Sequence, residues 1–214
     1  MAELVTSGAD PATARAVAVV LHGRGQTPGY MLEAVVSRLS TPDLHCVLPA
    51  APGEGWYDAK AVEALSADTE TQLIAALDLV AGAEAAARAA CSGKPLILIG
   101  FSQGACLVIE HLMRGGQADA AAMLTGCRVG AATDDLPRAE LSGLPVYCTN
   151  GDADPWIPTW AFQKAVADFI TAGARVRSDV LPGRAHEIAA PEIAALDALC
   201  AAIADGTAPF GDSP

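Results

Sequence analysis

The stretch Leu96–Leu112, LILIGFSQGACLVIEHL, sets an apolar run directly against an apolar helical segment and places one small polar residue, Ser102, at the seam. Gly100 and Gly104 stand two residues away on either side, and Ala105 follows. Residues 95–100 have the length and composition of a strand buried on both faces, and residues 103–114 read as a helix. A chain that turns this sharply from strand to helix leaves its serine in a strained conformation with Oγ pushed outward. Side chains two residues to either side would collide with the neighbouring strand and helix, so only very small residues fit. The pattern G-x-S-x-G is short and weak by itself; its position directly after a strand and directly before a helix is the setting of a nucleophile elbow. The helix N-terminus at Gln103 adds free N–H groups and a partial positive charge. The plain structural alternative is a helix-capping serine after a glycine turn.

Working outward, runs of strand length alternate with segments of helical period. Strands are expected at 16–21 (AVAVVL), 45–50, 95–100, 121–126, 145–150 and 175–181. Helices are expected at 31–39, from about 69 to 91, and at 103–114, 160–174 and 191–204, the last with Pro191 in its first turn. Residues 53–68 read as a loop. This alternation implies an α/β fold with a mainly parallel central sheet and helices on both faces. The 214 residues fit a single domain, 1–214, with a loose tail from about residue 205 and no insertion long enough for a large cap domain.

Composition narrows the function classes. Lys and Arg total 13 against 25 Asp and Glu, a net charge of −12 without any basic stripe, so a nucleic-acid partner is not expected. No apolar run approaches the ~20 residues of a bilayer span. The start, MAELVTSGADPATAR, lacks a basic segment followed by an apolar one, and a cytoplasmic protein is expected. The six cysteines include no C-x-x-C pair and sit mostly in apolar runs, as reduced, buried thiols do.

In open α/β sheets the chemistry gathers in loops at the carboxyl ends of strands. Here those loops read HGRGQTPG, APGEGWYD, the Ser102 turn, GDADPWIP and PGRAHE. They hold two of the three tryptophans and two of the four histidines, a concentration that singles them out. A serine hydroxyl needs a base to take its proton. His111 lies in the helix after Ser102, His45 starts a strand at the far end, and His22 suits a loop-shaping role. His186, in a loop just after a strand, is the expected general base. The third member must orient the imidazole, and spacing alone leaves Asp152 and Asp154 equally eligible. The order Ser, acid, His is that of α/β-hydrolases. Acyl transfer also needs two N–H donors for the developing oxyanion. Gln103 N–H is the first, and Arg24 N–H, in the glycine-lined HGRGQ loop, is the second candidate.

Together LHGRGQTP, GFSQGA, GDADPWIP and PGRAHEI resemble the phospholipase/carboxylesterase family of α/β-hydrolases, which includes the acyl-protein thioesterases. The resemblance covers nearly the whole chain in order. It implies a serine hydrolase using Ser102 and His186. Its G-x-x-D-x-x-[VI]-P pattern falls on Gly151, Asp154, Ile157 and Pro158, and so selects Asp154 as the acid. It implies oxyanion donors at Arg24 and Gln103. Arg24 stands where the thioesterases usually have leucine, and Trp156 lies inside the acid loop. Family members often dimerise, so a homodimer is implied by resemblance alone.

The expected activity is a serine carboxylesterase acting on short- to medium-chain esters through an acyl-enzyme, with no metal and no cofactor. A thioesterase or lysophospholipase for longer acyl chains is the alternative within enzymes. A non-catalytic binding protein on the same fold is the alternative of another class. Trp56, Tyr57 and Trp156 are candidates to line the pocket.

Overall fold

The computed structural model describes residues 4–211. Seven strands form one sheet: β1 (Leu4–Gly8), β2 (Ala16–Leu21), β3 (Leu44–Pro49), β4 (Leu96–Phe101), β5 (Ala120–Leu124), β6 (Pro145–Gly151) and β7 (Arg175–Leu181). Their spatial order is β1-β3-β2-β4-β5-β6-β7; β1 pairs antiparallel to β3, and every other pairing is parallel. Five α-helices connect them: α1 (Pro28–Ala34), α2 (Ala67–Ala90), α3 (Gln103–Met113), α4 (Thr159–Thr171) and α5 (Ala190–Asp205). This is the α/β-hydrolase architecture.

The inner strands β2 to β6 are buried on both faces, and alternate residues feed two cores. Val17, Val19, Leu21 and Leu98 point toward α2, α3 and α4, where Leu73, Val80, Ile109 and Phe162 meet them. Ala18, Val20, Ile97 and Ile99 point the other way, toward Met31 of α1 and Leu196 and Leu199 of α5. Every residue of α3 is buried, Gln103, Glu110 and His111 included. The helix that carries the elbow is therefore held from all sides.

The sequence expectations differ from the structure at several places. β1 was not expected: its five residues alternate in burial, and only pairing with β3 makes them a strand. Helix α2 starts two residues before the expected position because Ser66 caps it, its side chain accepting the Thr69 N–H. β5 stops at Leu124 rather than 126 because Thr125 takes a φ of +60° and turns the chain. The described part of the loose tail expected from about residue 205 is tied to the fold. Asp205 is still helical, and Arg175 Nη2 donates to the carbonyls of Pro209 (3.4 Å) and Gly211 (2.9 Å). The remainder of that tail lies outside the described residues.

Candidate active site

The elbow forms as its glycines require. Ser102 has φ +54° and ψ −119°, a region non-glycine residues rarely occupy. A Cβ at Gly100 would run into the Gly104 carbonyl, and one at Gly104 into the carbonyls of Leu21 and His22. The Ser102 N–H donates to Leu124 O at 3.0 Å, tying the turn to the end of β5. Strain at one residue is thus held by packing and a hydrogen bond from its neighbours.

His186 reaches this serine from the loop after β7. Its Nε2 lies 2.8 Å from Ser102 Oγ, and its Nδ1 lies 2.7 Å from Asp154 Oδ2. The Asp154 carboxyl is fully buried, and its Oδ1 accepts the N–H groups of Trp156 and Ile157, both at 2.8 Å. A carboxylate engaged this way accepts a hydrogen bond from Nδ1–H and leaves Nε2 as an acceptor facing the hydroxyl. Of the two aspartates that spacing left open, Asp154 is the one against the imidazole. Asp152 is exposed; its Oδ1 accepts the Gly183 N–H and fastens the acid loop to the histidine loop. The imidazole also packs on Phe101, ring centroids 5.1 Å apart.

The other histidines are elsewhere. His45 Nδ1 donates to Ala9 O, and His111 Nε2 pairs with Glu84 on α2. His22 is buried. Ala51 N–H donates to its Nε2 at 3.1 Å, so its Nδ1–H donates to Gly23 O at 2.8 Å. Burial pulls its pKa below the ordinary value and outweighs the opposing bond to Gly23. It shapes the loop that follows β2.

That loop passes directly beside the serine: a Cβ built on Gly23 would lie 3.0 Å from Ser102 Cβ. Gly23 N–H is taken by Gln26 Oε1 (2.9 Å) and Gly25 N–H by Glu54 O (2.6 Å). Between them the Arg24 N–H donates to no acceptor among the described residues, and neither does the Gln103 N–H, which opens α3. Two unpaired amides therefore flank the hydroxyl. Backbone donors held in this way can receive an oxyanion without reorganising.

A cleft of about 550 Å³ opens at Ser102 and His186 and is lined in part by Tyr57, Trp156 and Ile157. Trp156 is 66 % exposed at its rim. Trp56 does not line it. Its indole is buried, donates from Nε1 to His22 O at 2.8 Å and packs on the His22 ring at 5.0 Å. The expectation of a pocket role for Trp56 is corrected accordingly: its polar edge is used to hold the loop. A second groove, of about 590 Å³, runs between α1 and β1 past Leu32 and Leu44 and contains none of these groups.

Residues 2–201 match the sequence model of the family described as Phospholipase/Carboxylesterase. The chain belongs to the phospholipase/carboxylesterase family. It is a hydrolase of the carboxylesterase/phospholipase type. Among solved structures, a phospholipase/carboxylesterase from Dyadobacter fermentans is 27 % identical, with 94 % of this chain and 96 % of that one covered and a TM-score of 0.84. Esterase PE8 is 24 % identical over 93 % and 97 % of the two chains, with a TM-score of 0.74. SOBER1 from Arabidopsis thaliana is 19 % identical over 87 % and 98 %, with a TM-score of 0.72. The last two show likeness of fold. A search of curated protein sequences finds no match.

Three side chains of this family member support the site in ways that the sequence did not indicate. Gln103 uses its buried side chain as a staple: Oε1 accepts Trp56 N–H (2.9 Å) and Nε2 donates to Tyr57 O (2.7 Å), pinning the loop over the cleft. Arg128, in the long segment after β5, is buried against Glu110 (Nε to Oε1, 2.7 Å) and Asp168 (Nη1 to Oδ2, 3.2 Å). Arg184 is the third. Its Nη1 donates to Ala185 O (2.7 Å) and Glu187 O (2.8 Å), the carbonyls on either side of His186. Its Nη2 donates to Thr125 Oγ1, and its Nε lies 3.3 Å from the buried carboxylate of Glu192. One guanidinium thus links the histidine loop to Thr125, the neighbour of the carbonyl that anchors Ser102. Nothing in the local pattern PGRAHE distinguishes such an arginine from a solvated one; only its burial does.

Proposed function

We propose that this chain is a serine carboxylesterase that hydrolyses short- to medium-chain carboxylic esters through an acyl-enzyme. The observation that carries the reading is the continuous line Asp154–His186–Ser102, with contacts of 2.7 and 2.8 Å. His186 Nε2 takes the Ser102 proton as Oγ attacks the ester carbonyl. The oxygen that becomes negative is received by the N–H groups of Arg24 and Gln103, each donor contributing roughly 3–4 kcal/mol to the barrier reduction. The tetrahedral intermediate collapses, His186 gives the proton to the departing alcohol, and the acyl group stays on Ser102. Water then attacks along the same path, with His186 again the base, and the carboxylic acid leaves. Asp154 holds the ring in the tautomer that this requires and stabilises its charged form. An open cleft of about 550 Å³ suits a small acyl group and a small alcohol. The six buried free thiols suit a reducing compartment, which supports the cytoplasm.

The longer-chain reading, a thioesterase or lysophospholipase, draws on the apolar ledge that Trp156 and the half-exposed Trp160 place beyond the cleft. A series of p-nitrophenyl esters from acetate to laurate, with matched thioesters, separates the two. kcat/KM peaking at or below about eight carbons supports the short-chain reading, whereas each added methylene in a working groove would contribute about 0.8 kcal/mol. The Ser102→Ala variant is expected to lose turnover and fluorophosphonate labelling. Undiminished hydrolysis by that variant would overturn the assignment, and failure of the parent protein to take the fluorophosphonate label would favour a binding protein on this fold.

A further inference from the structure

The charge lining the cleft is opposite to that of the molecule. The chain carries a net charge of −12. Yet the residues around the cleft include Arg24, Lys60 and Arg128 and no aspartate or glutamate. Arg128 is neutralised by Glu110 and Asp168. Arg24 and Lys60 are exposed and make no ion pair among the described residues. Of the two carboxylates nearest Lys60 along the chain, Asp58 accepts from Gln72 Nε2 at 2.8 Å, and Glu63 is turned to the Lys60 backbone, whose N–H donates to its Oε2 at 2.8 Å.

The two cations are held together on one rim. Arg24 Nη2 donates to the carbonyl of Ala59, the residue before Lys60, at 2.6 Å. This bond crosses from the loop after β2 to the loop after β3 and uses one arm of the guanidinium. The remaining donors of that planar fork stay open toward solvent and cleft. The Arg24 side chain also springs from the residue whose own N–H faces the reacting carbonyl. An anion held by it sits only a few bonds from the scissile ester.

We infer that this rim is a subsite for an anionic group, and that the substrates are small esters carrying a carboxylate or phosphate near the ester bond. The inference rests on the esterase reading of Ser102 and deepens it. The physical argument is one of contrast. Acidic residues elsewhere repel an anion, and a low-dielectric cleft lined by uncompensated cations concentrates it at the site. A guanidinium fork beside an ammonium matches the two or three oxygens of a carboxylate or phosphate.

The test compares kcat/KM for charged and neutral partners that share the ester and differ at the anionic group. Mono-(4-nitrophenyl) succinate against 4-nitrophenyl pentanoate places the anion in the acyl part. 4-Acetoxybenzoate against its methyl ester places a carboxylate in the alcohol part, and 1-butyryl-glycerol 3-phosphate against monobutyrin places a phosphate there. At 20 mM salt one of the three anionic esters is expected to be preferred by about threefold to tenfold, in line with one or two exposed charge contacts. The preference should shrink as salt screens it. Lys60→Gln should reduce the ratio while leaving turnover of the neutral esters unchanged. Adding Arg24→Gln, which retains the backbone amide, should bring the ratio to one or below, because the remaining net charge disfavours anions. Equal or better turnover of the neutral partner in all three pairs would overturn the subsite while leaving the esterase reading intact. A preference that survives the double variant would do the same. Absence of turnover of every ester would instead refute the reading on which it rests.

Discussion

Replacing Arg184 with methionine should damage the fold and the site together, and the structure sets the size of each effect. The guanidinium is 5 % exposed and the Glu192 side chain facing it is fully buried. Removing one partner of a buried pair leaves an uncompensated charge, at a cost of about 3–5 kcal/mol. For a chain of this size that corresponds to a drop in Tm of roughly 6–20 °C. The loss should depend on pH in a definite direction. Burial, the largest influence on Glu192, already holds its pKa above the ordinary 4.5, ahead of the opposing bonds from Ala189 and the Arg184 charge. A carboxyl whose folded pKa is raised contributes stability below its unfolded value, and that contribution is lost as pH rises through the folded value. Without Arg184 the folded value rises further, so the variant should be weakest near neutrality and approach the parent toward pH 4.5. Pairing Arg184→Met with Glu192→Leu should recover much of the stability. It should not recover kcat, because the carbonyls flanking His186 remain unclamped. Urea denaturation at pH 7.5 and 5.0, with kcat measured alongside, tests each step. A destabilisation under 1 kcal/mol at neutral pH, or one equal at both pH values, would refute the buried-charge reasoning. Full recovery of kcat in the double variant would refute the clamp.

Asp154→Asn should lower kcat by about 10⁴, since an amide stabilises the wrong imidazole tautomer, while KM changes little; steady-state kinetics decide it. Gln103→Ala keeps the backbone N–H but cuts both staples to the loop over the cleft. It should cost about 1–3 kcal/mol in stability and raise KM more than it lowers kcat, measured by thermal melts and ester kinetics. His22 has a folded pKa below its unfolded 6.5, so its contribution is fully present above about 6.5 and is lost as pH falls from there through the lower folded value. The drop in Tm between pH 7.5 and 5.0 should be smaller in His22→Gln than in the parent.

Much of the sheet could be read from the linear chain because parallel strands buried on both faces are continuous apolar runs. AVAVVL and LILIG cannot be anything solvated, and β2 and β7 fall where they were expected. β1 escaped because LVTSG has no such run; its strand character comes from β3 alongside it. The elbow was legible for a steric reason: glycine at 100 and 104 leaves a chemical trace of a backbone that passes too close for a Cβ. Trp56 was misread because an aromatic in an active-end loop looks the same whether it faces the cleft or the core. The Nε1 bond to His22 decides between them, and that bond joins residues 34 positions apart.

The choice between Asp152 and Asp154 marks the boundary. Both stand in one loop after one strand, and by residue type and spacing either could serve. Residue order along the chain determined the layers, most of the strands and the group of loops where chemistry would gather, because backbone sterics and apolar burial act locally and leave periodic marks. The family resemblance points to Asp154; only the tertiary structure brings that carboxylate to His186 and decides which tryptophan reaches solvent and that Arg184 is buried. Those outcomes depend on distances between loops that share no local pattern, and a hydrogen bond is made or missed within an ångström.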